Sequence, residues 1–336
     1  MWTRAQNVRM TPTPDRRERS QVNDALTAAH LYYLQGQTME VIAKELGTSR
    51  STVSRLLSFA KSSGLVDIRI RSPFDGPKRL EGEIRDRFGI AAHLVPAPDS
   101  TAEVDRLERV AVAAARVIDQ HVDSNMTIGV AWGSTVGAVS RHLIPKKTHN
   151  VVVVQLNGSG NTRTTGIQYA SEILQRFGQA YEATVEQFPV PAFFDDPETK
   201  RALWRERSTK RILDIQSQMG LVVFSVGAAN ADVPSHVYAG GYLEHADLRA
   251  LAADRVVGDV ATVFYRADGS NVGIELNARA SGPDFSQLRL VPRRICVVAG
   301  RAKVESLHGA IQAGLVTDLV IDEPTAREFL AAHRRA

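Results

Sequence analysis

The chain has 336 residues with 43% apolar and 23% charged side chains, enough to bury a substantial core across about two domains. Its apolar runs, such as Leu221–Ala231, fall short of the ~18–20 residues a membrane span needs, and the N-terminus has no apolar leader, so a soluble cytoplasmic protein is expected. The net charge is +4, and a single cysteine, Cys296, excludes an intrachain disulfide and a cysteine-built zinc site.

The charge is unevenly placed. Met1–Ser72 carries 11 basic and 6 acidic residues, against 30 and 31 in the remainder. A small basic unit on a near-neutral body suits a polyanionic partner, because Lys and Arg displace counterions from phosphates; a solvated basic tail would look the same by charge alone. Residues 1–20, with Thr-Pro-Thr-Pro and Arg-Arg-Glu-Arg, read as a flexible arm. A first helix is expected from near Val22 to about Gln35, its apolar face built by Val22, Leu26, Ala29 and Tyr33.

Thr38 offers an N-cap for a second helix, Met39 to Leu46, and Ser49 one for a third, ending near Ser62 or Ser63. Small Ala43, turn-forming Gly47 and inward Val53, with Ile42, Leu46 and Leu56, stand at the spacing of a helix-turn-helix. The outer face of the third helix carries Ser49, Arg50, Ser51, Thr52, Ser54 and Arg55, which with Thr38 are the expected DNA contacts: short hydroxyls and guanidinium groups of the kind that contact phosphates and base edges in a major groove; a three-helix protein–protein module is the bland alternative. Leu65–Arg71 alternates as a strand after its first pair, the wing of a winged helix-turn-helix over residues 21–74. Its Arg69 and Arg71 either reach the DNA backbone or minor groove, or form a solvated face.

Residues 75–91 read as a linker opening on Asp75-Gly-Pro, although Arg79 to Phe88 has helical character. From residue 92 to 336, helices alternate with apolar strands at Ala92–Val95, Thr127–Ala131, Val151–Leu156, Leu221–Val226 and Ile295–Ala299, the pattern of an α/β domain with a doubly wound parallel sheet. Four strands end in small polar turns: Gly133-Ser134-Thr135, Asn157-Gly158-Ser159-Gly160, Gly227-Ala228-Ala229-Asn230, and Gly300 leading to Lys303. Such turns suit a ligand, or only a tight loop. Lys303 is a counter-ion for phosphate or carboxylate, or a surface lysine. Asp259 accepts ligand hydroxyls or caps a turn. Cys296 is a small core residue. No metal spacing and no nucleophile–base pair is evident, so no cofactor is expected.

These residues resemble the SorC/DeoR-type sugar-binding transcriptional regulators of bacteria. The matches are Ile42–Arg50 with Val53–Leu57, then Ile128–Thr135, Val154–Gly158, Gly258-Asp-Val260, Val298-Ala-Gly300 with Lys303, and Thr317–Asp322. The resemblance implies a C-terminal domain with the fold of sugar-phosphate isomerases, serving as sensor of a sugar or polyol, typically phosphorylated. It places Gly133, Ser134 and Thr135 by the phosphate, Asn157, Gly158 and Ser159 in a second effector loop, and Asp259 and Lys303 in the pocket. It further implies a homo-dimer or homo-tetramer on a double-stranded DNA operator, with no membrane partner. One departure stands out: in Phe264-Tyr-Arg266-Ala-Asp-Gly269, Arg266 replaces an acid expected near the ligand, which points to a more anionic effector. The reading from another class is a sugar-phosphate isomerase or deaminase with a fused DNA-binding unit; such catalysis needs a matched acid and base, and Asp259 has no evident partner in the sequence.

Overall fold

A computed structural model of the chain describes residues 16–66, 75–228 and 235–332. It divides into two compact units, Met1–Ser72 and Pro73–Ala336.

In the first unit, α1 (Arg16–Ala29) runs directly into a π-helical turn, His30–Leu34. The helix therefore starts within the stretch expected as an arm; residues 1–15 lie outside the described residues. Extending a formed helix needs no burial, and Arg and Glu are good helix formers, so the polar Arg16–Ser20 joins it. Its buried side is Ala25, Ala28, Ala29 and Leu31, whereas Leu26 is 47% exposed. The expected face is corrected by about a third of a turn, because alanines rather than leucines allow α1 to lie close on its neighbour.

Thr38 caps α2 (Met39–Glu45), its hydroxyl accepting the Val41 N–H at 3.4 Å. Ser49 caps α3 (Arg50–Ser62), accepting the Thr52 N–H at 3.2 Å. Between them Gly47 sits at φ +61°, a backbone state that side chains resist. Ile42, Ala43, Val53, Leu57 and Ala60 close the wedge, with Leu46 and Leu56 packed on its margin. Leu65 and Val66 pack there too, but Asp67–Arg71 of the expected wing, with Arg69 and Arg71, lies outside the described residues.

The second unit opens on α4 (Asp75–Phe88). Residues 75–91 are thus not a linker. Pro77 sits in the first turn, where a missing N–H costs nothing, and Leu80 and Ile84 are buried in the core. Seven parallel strands follow: β1 (Ala91–Val95), β2 (Thr127–Val130), β3 (Val152–Gln155), β4 (Thr184–Glu186), β5 (Met219–Phe224), β9 (Arg293–Val298) and β10 (Asp318–Asp322), in spatial order β1-β10-β9-β5-β2-β3-β4. Alternate residues feed two cores. Ile128, Val130, Leu221, Val223, Ile295 and Val297 face one, with α5 (Glu103–His121), α6 (Ser134–Ser140) and α7 (Ile167–Ala180); Val222, Phe224, Cys296, Val298, Leu319 and Ile321 face the other, with α4 and helices 304–312 and 323–332. The sheet is covered on both faces, as a doubly wound architecture requires.

One element departs from the alternating pattern. β6 (Val226–Gly227), β7 (Val256–Val260) and β8 (Val263–Arg266) form a separate antiparallel sheet. The β7–β8 corner holds two non-glycine residues at positive φ, Ala261 (47°) and Thr262 (72°). Such a corner is strained for a β-branched residue and matches a tight hairpin's twist.

Candidate functional site

The chain crosses the sheet in one direction from β2 through β3 to β4 and in the other from β5 through β9 to β10. Adjacent β2 and β5 therefore flank the switch point, where loops after the strands diverge and leave a crevice. A cleft with about 440 Å³ of empty space, part of it open to solvent, lies there. Its wall includes Trp132, Gly133, Ser134 and Thr135 after β2, Asn157 after β3, Ser225 and Gly227 after β5, Asp259, Ala261 and Thr262 of the hairpin, and Ser235, His236 and Lys303. Ala229 and Asn230 of the third turn lie outside the described residues.

Lys303 follows Gly300, which sits at φ +95°. Only 6% of Lys303 is exposed; its ammonium donates to Thr135 Oγ1 at 3.1 Å and Ser225 Oγ at 3.3 Å. Burial lowers its pKa, opposed by the nearby Cys296, Asp259 and Glu103. Burial likewise pushes the Cys296 thiol up to about 12, consistent with a neutral core residue.

Asp259 is also buried. Desolvation raises its carboxyl to about 7, against the opposing pull of the Thr262 N–H and Lys303. Oδ2 accepts that N–H at 3.1 Å, which helps hold the strained corner; among the described residues Oδ1 has no hydrogen-bond partner. Gly227 makes room for it: a Cβ there would stand 1.9 Å from Oδ1. Asn157, 1% exposed, likewise has an Oδ1 without a partner among the described residues. Its backbone carbonyl accepts from Gln155 Nε2 at 2.7 Å and from the indole of Trp132 at 3.1 Å. Trp132 stacks on Tyr242 at 5.1 Å. The ring of His236 stands 4.5 Å from that of Tyr169, and burial lowers its pKa. One buried cation and two orphaned acceptors thus share a single crevice. Buried polar atoms are almost always paired, so these two oxygens, unpaired among the described residues, mark positions a donor can occupy.

Six of the nine expected effector residues, Gly133, Ser134, Thr135, Asn157, Asp259 and Lys303, line this cleft. Three do not. Gly158 lies beneath it, its N–H donating to Ser281 Oγ at 2.9 Å and its carbonyl accepting from Trp132. Ser159 offers only its carbonyl, to the Tyr242 hydroxyl at 2.9 Å. Arg266, at the far end of β8, donates to the carbonyls of Asp254 at 2.8 Å and Val272 at 3.0 Å. It pins the hairpin's outer end and gives no support to a more anionic effector. Trp132, Ser225, Thr262 and His236 were not anticipated. Ser225 carried a signal, as a hydroxyl directly after a strand; His236 carried none.

On the first unit, Arg50, Ser51, Ser54 and Arg55 are exposed on α3 and Thr52 is half-buried. The hydroxyls of Thr38 and Ser49 are committed to helix capping. Arg50 pairs with Glu40 of α2 at 2.8 Å, so the face is not free of acids. Arg55 reaches the Ser51 carbonyl at 3.4 Å. Among the described residues no cluster of His, Cys, Asp and Glu could hold a metal, and no helix is long and apolar enough to cross a membrane.

Residues 72–331 match the family model of the "Putative sugar-binding domain". The deoxyribonucleoside regulator of Bacillus subtilis is 33% identical over 317 residues, 94% of this chain and 98% of that one. The chain belongs to the SorC/DeoR-type sugar-binding transcriptional regulators. A solved domain of a "possible sugar-binding transcriptional regulator" from Arthrobacter aurescens is 58% identical with a TM-score of 0.73, covering 77% of this regulator and all of that chain. The full-length sorbitol operon regulator of Klebsiella pneumoniae, at 23% identity and a TM-score of 0.69, shares the fold over 93% of this regulator and 99% of its own length. The regulator is therefore an effector-controlled transcription factor, with the crevice at the sheet's switch point in its sugar-binding domain.

Proposed function

We propose that the crevice binds a small polyhydroxylated metabolite carrying a phosphate, and that its occupancy sets the affinity of α3 for an operator. The observation that carries this reading is that buried Lys303 shares one cleft with two acceptors, Asn157 Oδ1 and Asp259 Oδ1, that have no partner among the described residues. An anionic group satisfies the lysine, and sugar hydroxyls donate to the orphaned oxygens. The names of the relatives support a hydroxyl-bearing effector: one is a deoxyribonucleoside regulator, another a sorbitol operon regulator.

On the DNA side, Arg50 and Arg55 reach phosphates or base edges, while Thr38 and Ser49 hold their helices in place. A homo-dimer or homo-tetramer would engage paired half-sites. No cofactor takes part, and the protein acts in the cytoplasm, where operator and metabolite both reside. The fused isomerase or deaminase is not favoured, since relatives matching nine-tenths of the chain are named as regulators.

A thermal-shift screen of free and phosphorylated sugars and polyols tests the reading. A ligand that binds only the native state raises the melting temperature. A phosphorylated compound should stabilise the parent clearly more than Lys303→Ala; equal shifts in both proteins would refute the anionic contact. Turnover of any compound in the same panel would restore the enzyme reading.

A further inference from the structure

We propose that Asp322, at the C-terminal end of β10, is a positioning residue that ties the Lys303 turn to α4, the first helix of the sugar-binding domain. This rests on the reading of the crevice given above.

Asp322 has no exposed surface. Its Oδ2 accepts the Gly300 N–H at 3.1 Å. The Gly300 carbonyl in turn accepts the Lys303 N–H at 3.2 Å, so the carboxylate grips the turn that aims the lysine. Its Oδ1 accepts the Thr325 N–H at 3.0 Å and hydroxyl at 2.9 Å, fixing the first turn of helix 323–332. The charge is balanced by Arg106 of α5, 5% exposed, at 3.2 Å. Arg106 also donates to the carbonyls of Asp99 and Thr101 at 3.4 and 3.1 Å. One carboxylate thus joins the Lys303 turn, the β1–α5 loop and helix 323–332.

That helix holds α4 at both ends. Its Phe329 ring packs on Phe88 at 4.9 Å, and a Cβ added at Gly76, in the first turn of α4, would stand 3.6 Å from Glu323 Oε1. Glu81 of α4 accepts the Leu94 N–H of β1 at 2.9 Å, so helix and edge strand move together. Residue 72 ends the first unit, and α4 begins three residues later. A shift of the Lys303 turn therefore reaches α4 through a short run of packed contacts, buried at Asp322, Arg106 and Phe329 and half-buried at Phe88, Glu81 and Glu323, the kind of element that carries a coupling free energy.

Hydrogen exchange on the full chain tests this. Asp322→Asn keeps the shape and removes the charge. Thr325→Val removes one hydroxyl bond, and Thr325→Ser restores it. Asp322→Asn should speed exchange about fivefold or more in segments 299–304 and 75–88 while segment 152–157 keeps the parent's rate. Thr325→Val should act in the same direction with a smaller effect, and Thr325→Ser should behave as the parent. Ser281→Ala, which removes a buried bond to Gly158 elsewhere in the domain, serves as a destabilised control and should leave segment 75–88 unchanged. Should Asp322→Asn fail to fold, the Thr325 pair decides. Parent-like exchange of segment 75–88 in both Asp322→Asn and Thr325→Val overturns the proposal, as does equal acceleration by Ser281→Ala. Inorganic phosphate added to the parent separates the two readings. If it fails to protect segment 299–304, the anion role of Lys303 falls, and the variant series still decides the role of Asp322.

Discussion

Replacing Asp259 by Asn should flatten the dependence of stability on pH. Burial raises this carboxyl from 3.8 to about 7. The folded state therefore disfavours the ionised form, so stability is lost as pH rises from the unfolded value through the folded one and levels off above it. A displacement of about three units corresponds to about 4 kcal/mol in full, of which about 2–3 kcal/mol falls between pH 5 and pH 8. Asn keeps an oxygen for the Thr262 N–H but has nothing to ionise. Urea unfolding of parent and variant at both pH values, followed by the fluorescence of Trp132 and Trp204, isolates the group, since the His and surface carboxylate titrations are shared. The parent should lose about 2–3 kcal/mol more than Asp259→Asn on going from pH 5 to pH 8. Equal losses would refute the reasoning and mean that the carboxylate is solvated in the native protein. The same linkage applies to ligand binding: a hydroxyl donated to Oδ1 favours the ionised form, so affinity should rise through pH 7 in the parent alone.

Lys303→Ala should weaken a phosphorylated effector by about 10–100-fold in calorimetry, the worth of a charge-assisted contact, while operator affinity without effector stays unchanged. Arg50→Ala and Arg55→Ala should each cost about 1–3 kcal/mol of operator binding. A base contact would show as relaxed specificity at one position and a phosphate contact as a smaller salt slope, so loss of neither would remove α3 from the interface. Gly227→Ala should displace the Asp259 carboxylate, because the new methyl would stand 1.9 Å from Oδ1; a lowered melting temperature with loss of effector binding is the expected result. Gly47→Ala meets no atom within 4 Å, so its cost should be the backbone strain of φ +61° alone, about 1 kcal/mol by urea unfolding.

Local signals sufficed where the physics is local. Ile42, Ala43, Gly47 and Val53 announce a helix-turn-helix because wedge and turn lie within a dozen residues of one another. The apolar strands and the small turns after them were legible for the same reason. The face of α1 was not: alanines carry little hydrophobic signal, yet Ala25 and Ala28 are what a close helix contact buries. The helix over Arg79–Phe88 was legible, but its first turn, in the linker-like Asp75-Gly-Pro, was not, since a first helical turn tolerates the residues that break later ones.

The composition of the site was a tertiary matter. Gly133-Ser-Thr, Asn157-Gly-Ser and Gly300-to-Lys303 look alike as sequence, and so did Arg266 as a pocket residue. Only the strand order selects among them, by placing β2 beside β5, so that the ends of β2, β3, β5 and β9 converge on one crevice while Arg266 points along the hairpin to Asp254. Parallel strands pair segments remote in the chain, as β1 and β10 show where Ala91 lies opposite Asp318. No local pattern encodes which remote ends will meet; the twisted sheet and its packed faces decide that.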